Sequence, residues 1–257
     1  MRPNNVKAIW KSGKPATAGW LFSADTYGAE IAAHAGFDSL VLDMQHGMGI
    51  GPDRAALWLQ AVSASPVTPF VRVPWNRPEY IQWVLDAGAL GIIVPLVNTR
   101  EEATSAGQAC RYPPLGYRSA GPNRARLYGG SDYEQTANAE IACLVMVEHI
   151  DTVARIDDLC QAPGIDGFYI GPADLAFSMG VPPRAYQQDQ RHAQVCQRVL
   201  DAARARGLVA GIHCASPEEA ARRFAQGFLY CPVFTDAGAL QRAAADSLAA
   251  LKKARGA

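Results

Sequence analysis

Val145-Met146-Val147-Glu148 and, further along the chain, Ile170-Gly171-Pro172-Ala173-Asp174-Leu175 are two short apolar runs that each end in an acidic residue. Bounded apolar runs of this length read as buried strands. A carboxylate at the C-terminal end of a buried strand does not help packing, because a buried charge is costly unless it is paired or bound to a cation. Two such strands separated by one helix run parallel, so their C-terminal ends meet at one end of a sheet. One or two carboxylates, completed by water and substrate oxygens, are the usual set for a hard divalent cation. The competing reading is that each acid only caps the helix that follows it.

Outward from these two stretches the same rhythm covers the chain. Strand patterns occur at Gly19–Phe22, Ser39–Met44, Pro69–Pro74, Gly91–Val97, Ala142–Glu148, Gly167–Gly171, Val209–Cys214 and Phe228–Phe234. Helical patterns lie between them at Tyr27–Ala35, Asp53–Ala64, Pro78–Ala87, Glu101–Cys110, Thr152–Gln161, Gln190–Arg206, Pro217–Ala225 and Ala237–Ala254. Eight strand-then-helix units are the arithmetic of an α/β fold of the (β/α)8 TIM-barrel kind, here a single domain over 1–257. Strands that are apolar throughout suit a sheet covered on both faces. A doubly wound open sheet is the alternative, but no Gly-x-Gly-x-x-Gly follows the first strand. The rhythm breaks at Arg111–Asn138, a connection long enough to suggest that it covers something or borders the site. A second Pro-rich loop, Val181-Pro182-Pro183-Arg184, follows Asp174 and is expected at the same mouth.

Composition narrows the function. The chain has 257 residues, 24 Lys+Arg against 24 Asp+Glu, and 49% hydrophobic residues. A zero formal charge argues against nucleic acid or an anionic membrane as the main partner. No apolar run approaches the roughly 20 residues of a membrane span. The N-terminal Met1-Arg2-Pro3-Asn4-Asn5 lacks the apolar stretch of a signal peptide, and the expectation is a cytoplasmic protein. Cys110, Cys143, Cys160, Cys196, Cys214 and Cys231 show no Cys-x-x-Cys spacing and read as reduced, packed thiols.

Barrel active sites lie at strand C-termini. There the chain offers Asp43-Met44-Gln45-His46-Gly47, Val71-Arg72-Val73-Pro74, Glu148 and Gly171-Pro172-Ala173-Asp174. A cation on Glu148 and Asp174, together with Arg72, can hold the oxygens of a 2-oxo acid and stabilise an enolate. His46 can move the proton. Singly, each is ambiguous: His46 could be an ordinary loop histidine, Arg72 could neutralise a neighbouring carboxylate, and Asp43 could orient His46 or cap a helix. His34, His149, His192 and His213 carry no clear signal, although His149 adjoins Glu148 and His213 ends a strand. No lysine lies at a strand end: Lys7, Lys11, Lys14, Lys252 and Lys253 are all terminal, which disfavours Schiff-base chemistry.

The chain resembles the HpcH/HpaI class II aldolases, which act on 4-hydroxy-2-oxoheptanedioate and related 2-oxo acids. The resemblance runs through Ala35-Gly36-Phe37-Asp38, the Asp43 to His46 turn, Val71-Arg72-Val73-Pro74, and Val84-Leu85-Asp86-Ala87-Gly88-Ala89. It continues through Val94-Pro95, Arg111-Tyr112-Pro113-Pro114-Leu115-Gly116-Tyr117-Arg118, Glu148, and Phe168-Tyr169-Ile170-Gly171-Pro172-Ala173-Asp174-Leu175. It implies a barrel of the phosphoenolpyruvate/pyruvate type, with His46 as general base, Arg72 stabilising the enolate, and Asp86 raising the basicity of the histidine. It implies Glu148 and Asp174 as ligands of Mg²⁺, Mn²⁺ or Co²⁺. Arg72, Gly171, Pro172, Ala173 and Asp174 are implied to line the 2-oxo acid, Ala173 through its backbone N–H. The implied assembly is a homohexamer, a trimer of dimers that exchange their last helix.

Three departures from that pattern stand out. Met146 occupies a position where many members carry glutamine, and it offers no comparable hydrogen bond. Met44-Gln45-His46 replaces Gly-Glu-His, and Tyr230-Cys231-Pro232-Val233-Phe234-Thr235-Asp236 replaces a more glycine-rich strand end. The expected reaction is cleavage of a 4-hydroxy-2-oxo acid to pyruvate or hydroxypyruvate and an aldehyde. Two other readings remain: a CoA-ester lyase or phosphoenolpyruvate-mutase-like enzyme, with Arg118, Arg124 and Arg126 as the phosphate site, and an inactive barrel that serves binding or assembly. By position alone, Asp86 reads equally well as a surface acid before Gly88.

Overall fold

The computed structural model describes residues 1–183 and 185–255. Arg184, at the end of the second Pro-rich loop, lies outside the described residues. Eight parallel strands close into a barrel in chain order: β1 (Ala16–Leu21), β2 (Ser39–Asp43), β3 (Thr68–Arg72), β4 (Gly91–Val94), β5 (Ala142–Val147), β6 (Gly167–Ile170), β7 (Val209–Ile212) and β8 (Tyr230–Thr235). Each falls where the sequence placed a strand, usually ending a residue or two earlier. The helices outside are α2 (Thr26–Ala33), α3 (Pro52–Val62), α4 (Pro78–Asp86), α5 (Arg100–Ala109), α8 (Ile150–Ala154), α9 (Ile156–Leu159), α10 (Pro172–Ser178), α11 (Gln190–Ala205), α12 (Pro217–Gln226) and α13 (Asp236–Ala254). The helix expected over Thr152–Gln161 is broken at Arg155 into α8 and α9. Gly227, at φ 99°, ends α12 by donating to the Arg223 and Phe224 carbonyls, a left-handed cap that a Cβ would strain.

Strand side chains alternate between faces, and the packing clusters separate the two sets. In β5, Ala142, Leu144 and Met146 point into the barrel, whereas Cys143, Val145 and Val147 pack against the helices. In β2, Val41 points inward while Leu40 and Leu42 point out; in β3, Phe70 points inward while Val71 points out. The same period carries Asp43, Arg72 and Glu148, each two residues beyond an inward side chain, to the upper rim of the lumen.

α1 (Asn5–Lys11) was not expected from the sequence, and it closes the other end of the barrel. Trp10 inserts beneath Phe70 and Tyr230, with ring centroids at 6.2 and 5.5 Å, and its Nε1–H donates to the Leu229 carbonyl at 2.9 Å. Lys7 reaches Asp166 at 2.7 Å, and Arg111 reaches the same carboxylate at 2.8 Å.

The long segment after α5 holds two further helices, α6 (Asn123–Gly129) and α7 (Tyr133–Glu140). It joins a helix end to the start of β5, so it covers this closed end and not the mouth. Its Gly129 carbonyl accepts from the Arg2 backbone N–H, and its Tyr112 and Tyr133 rings sandwich the buried Arg118 guanidinium. Trp10→Ala empties the plug and should cost about 3–5 kcal/mol of stability, read from urea unfolding midpoints at unchanged slope.

Candidate active site

Asp43 and Arg72 are direct partners in the register of β2 and β3, so their inward side chains stand side by side. Arg72 donates Nε–H to Asp43 Oδ1 at 2.9 Å and its Nη2 to Oδ2. Asp43 Oδ1 also accepts the backbone N–H groups of Gln45 and His46, each at 3.0 Å, and Oδ2 accepts Trp20 Nε1–H at 3.0 Å. Burial alone would raise the Asp43 pKa. The Arg72 hydrogen bonds and charge, with the His46 and Trp20 donors, outweigh it and hold the carboxyl below its ordinary value of 3.8. Arg72 lies with its Cζ 5.0 Å from the Trp20 ring, which fixes the plane of the guanidinium. No described residue hydrogen-bonds its Nη1. The His46 side chain is exposed on the turn that Asp43 ties down.

Glu148 follows β5, two strands round the barrel from Arg72, and is 7% exposed. Its Oε2 accepts the Leu96 backbone N–H at 2.8 Å. Among the described residues, Leu96 is the non-glycine residue at positive φ, 57°, a conformation that turns its N–H toward the carboxylate. Burial pushes the Glu148 pKa up, the Leu96 N–H and the Arg72 charge oppose this, and the negative charge of Asp174 adds to the rise. Gly171 allows the close approach of β6: a Cβ there would sit 3.1 Å from both Cγ and Oε1 of Glu148. Pro172 opens α10, Ala173 follows it, and Asp174 occupies the first turn, where the helix dipole favours an acid.

These observations bear on a divalent cation. Two carboxylates lie at one mouth, neither has a cationic salt-bridge partner among the described residues, and burial raises the Glu148 pKa, with a smaller contribution from the Asp174 charge. No cluster of three or more His, Cys, Asp or Glu capable of holding a metal occurs among the described residues. The set therefore fits a hard cation that keeps open positions for water and substrate, and Glu148 and Asp174 are the residues that would hold it.

His46, Arg72, Glu148, Gly171, Pro172, Ala173 and Asp174 thus share one end of the barrel. Asp86 does not join them. It ends α4, a nine-residue helix of about 13 Å that starts at the mouth and runs away from it. There it pairs with Arg118 at 2.8 Å. Asp43 is the carboxylate beside His46. The three arginines considered as a phosphate site are also committed elsewhere. Arg118 is held by Asp86 and Tyr133, Arg124 by the Ala87 and Leu59 carbonyls, and Arg126 by Glu134. His149 serves as the N-cap of α8, accepting the Asp151 N–H.

Two lumen residues were given no role by the sequence reading, which missed one and noted the other only as ending a strand. Trp20 is one, and the alternation of β1 could have found it. His213, which continues β7 inward, is the other. Its Nδ1 is 3.1 Å from Tyr169 OH, its ring stands edge-on to Trp20 at 4.8 Å, and burial with the Arg72 charge lowers its pKa to about 4.

A family model described as HpcH/HpaI aldolase/citrate lyase matches residues 17–233 of this chain. The chain belongs to the HpcH/HpaI aldolase/citrate lyase family. It is 39% identical over 246 residues to a hydroxypyruvate/pyruvate aldolase of Rhizorhabdus wittichii, covering 96% of this chain and 98% of the relative. It is 35% identical over 253 residues to a 4-hydroxy-2-oxo-heptane-1,7-dioate aldolase of Escherichia coli, covering 96% and 94% respectively. A crystal structure of an HpcH/HpaI aldolase/citrate lyase family protein from Burkholderia cenocepacia superposes with a TM-score of 0.89 at 32% identity, over 97% of this chain and 99% of that one. Met146 has a visible place beside the site. It is 2% exposed, and a Cβ at Gly171 would sit 3.2 Å from its Cε, so an apolar methyl borders Glu148.

The opposite environments of the two buried acids predict opposite responses to amide substitution. Asp43→Asn leaves Arg72 without its counter-charge and should cost about 3–5 kcal/mol in urea unfolding. Because the Asp43 pKa is depressed, its stabilisation is complete above 3.8 and is lost as pH falls through the lower folded value. The gap between wild type and variant should therefore hold steady from neutral pH and narrow only below 3.8. The Glu148 pKa is raised, so ionisation above its ordinary 4.5 opposes folding. Glu148→Gln should raise the melting temperature of chelator-treated protein at neutral pH, and a lower melting temperature would contradict the assigned strain.

Proposed function

We propose that this protein is a divalent-cation-dependent aldolase, a carbon–carbon lyase that cleaves a 4-hydroxy-2-oxo acid to pyruvate or hydroxypyruvate plus an aldehyde. The observation that carries this reading is the carboxylate pair at the mouth, Glu148 and Asp174, which has no salt-bridge partner among the described residues and lies within range of the Arg72 charge. The names of the two aldolase relatives support the substrate class. A divalent cation on Glu148 and Asp174 would polarise the oxygens of the 2-oxo acid as a Lewis acid.

The chain's own residues do the rest. Arg72 Nη1 donates to the C2 oxygen and stabilises the negative charge that gathers there as the C3–C4 bond breaks. The Ala173 backbone N–H and the first turn of α10 receive the substrate carboxylate. His46 takes the proton of the C4 hydroxyl, releasing the aldehyde toward solvent. Asp43 acts on both groups, fixing the Arg72 plane and the His46 turn. A Schiff-base route finds no amine here: Lys7 is paired with Asp166 at the closed end, and Lys252 and Lys253 lie in α13.

We place the enzyme in the cytoplasm with no membrane or nucleic-acid partner. No described helix is long and apolar enough to cross a membrane, and the six cysteines are unpaired. We further propose that it works as an oligomer, as a hexamer of helix-exchanging dimers would require. Helix α13 buries none of its residues and exposes Leu240, Leu248 and Leu251. Beside it, an apolar cavity of about 800 Å³ is lined in part by Phe22, Ile31, Met48 and Phe234.

The chemical proposal is tested by exchange of the pyruvate C3 protons into D2O, which should need Mg²⁺, Mn²⁺ or Co²⁺ and stop on exhaustive chelation. Full exchange after chelation would overturn it. His46→Ala should cut aldol cleavage by roughly 10²–10⁴-fold. It should spare oxaloacetate decarboxylation, which forms the same enolate without deprotonating a hydroxyl, whereas Arg72→Ala should damage both reactions. Equal losses in both reactions for His46→Ala would remove it as the base.

A further inference from the structure

Asp174 makes no side-chain hydrogen bond among the described residues, so its position depends wholly on the mounting of α10. That helix is seven residues long; Pro172, Leu175 and Ala176 pack it into the core, and a hydrogen bond from outside reaches it at each end. At its far end, Ser178 Oγ accepts the Ile150 N–H at 2.9 Å, which ties α10 to the segment just after Glu148. At its near end, the Pro172 carbonyl lies 3.0 Å from Nε2 of His192, on α11. His192 is 0% exposed, and nothing in the proposed chemistry uses it.

Burying an imidazole where leucine or methionine would pack is costly unless its nitrogens are satisfied. Here both are. The Pro172 carbonyl can only accept, so Nε2 carries the hydrogen and Nδ1 is the bare nitrogen. Cys196, one turn along α11, stands with Sγ 3.7 Å from Nδ1 and supplies a weak S–H donor. The Tyr186 ring, centred 5.0 Å away, closes the third side. At the start of α11, Asp189 accepts the His192 backbone N–H at 3.1 Å, so the histidine is fixed from both its backbone and its ring.

We infer that His192 is a positioning residue for the cation site, its Nε2–H on the Pro172 carbonyl fixing the first turn of α10 and with it the distance between Asp174 and Glu148. The inference rests on the reading of those two acids as cation ligands. Groups that orient ligands from one layer out typically control metal affinity by about 10–100-fold. A residue that merely fills space would change stability and leave affinity alone.

The test is Mn²⁺ binding to the intact protein without substrate, followed by the electron paramagnetic resonance of the free ion. Apo melting temperatures are measured alongside. Glu148→Gln should abolish tight binding. His192→Leu, which keeps the volume and loses the donor, should weaken Mn²⁺ binding by about 10-fold or more. His192→Gln, whose amide nitrogen can reach the same carbonyl, should stay near wild type.

If the leucine variant does not fold, His192→Asn, one carbon too short to reach, takes its place in the comparison with glutamine. Unchanged Mn²⁺ affinity in the leucine or asparagine variant, with binding still lost in Glu148→Gln, would overturn the role of His192 and leave the cation site standing. Equal weakening in the glutamine and leucine variants would assign the effect to packing and likewise overturn it. Mn²⁺ binding undiminished in Glu148→Gln would overturn the cation site and the inference together.

Discussion

The ion pair of Asp43 and Arg72 is the contact on which the mouth depends. Both groups are buried and adjacent in the β-sheet register, so neither can relax into water. Such a pair is stable only when the remaining lone pairs and protons also find partners. Those partners are Trp20 and the N–H groups of Gln45 and His46, so a single carboxylate orients a guanidinium, an indole and the turn that carries the histidine. Arg72 spends its Nε and Nη2 on that carboxylate, and no described residue hydrogen-bonds its Nη1.

The barrel was legible because its information is periodic and repeated. Eight apolar runs separated by helical patterns leave little choice of architecture, and strand ends name the residues that can face the mouth. Groups acting through the backbone were not legible. Leu96 contributes an N–H at φ 57°, and nothing in a leucine side chain announces that. His192 looks like any histidine in an amphipathic helix until its carbonyl partner is seen. Trp20 and His213 were within reach, since alternation along β1 and β7 places both inward, but a tryptophan in an apolar run also reads as core.

Asp86 and the segment after α5 illustrate a different difficulty, that of polarity. In a strand-then-helix barrel, the loops after strands and the loops after helices lie at opposite ends. Asp86 closes a helix, and Arg111–Asn138 follows one, so both belong with α1 at the closed end. There Arg118 joins them, its guanidinium fully buried between two tyrosine rings and bonded to Asp86. The motif Tyr-Pro-Pro-x-Gly-x-Arg, distinctive in sequence, is a feature of that floor and contributes no group to the rim where Glu148 stands.

Trp10 beneath the lumen has a kinetic consequence. The lumen above it is packed with Phe70, Leu144, Met146, Tyr169 and Tyr230, so no path runs through the barrel, and whatever binds at the mouth must leave by the way it came. Glu148, Arg72 and Pro172 are buried at that mouth, whereas His46 stands exposed at its lip. In the proposed cleavage, the fragment released at the lip blocks the fragment behind it. Departure is then a queue: the aldehyde leaves first and the 2-oxo acid last, and in the synthetic direction the 2-oxo acid must load before its partner.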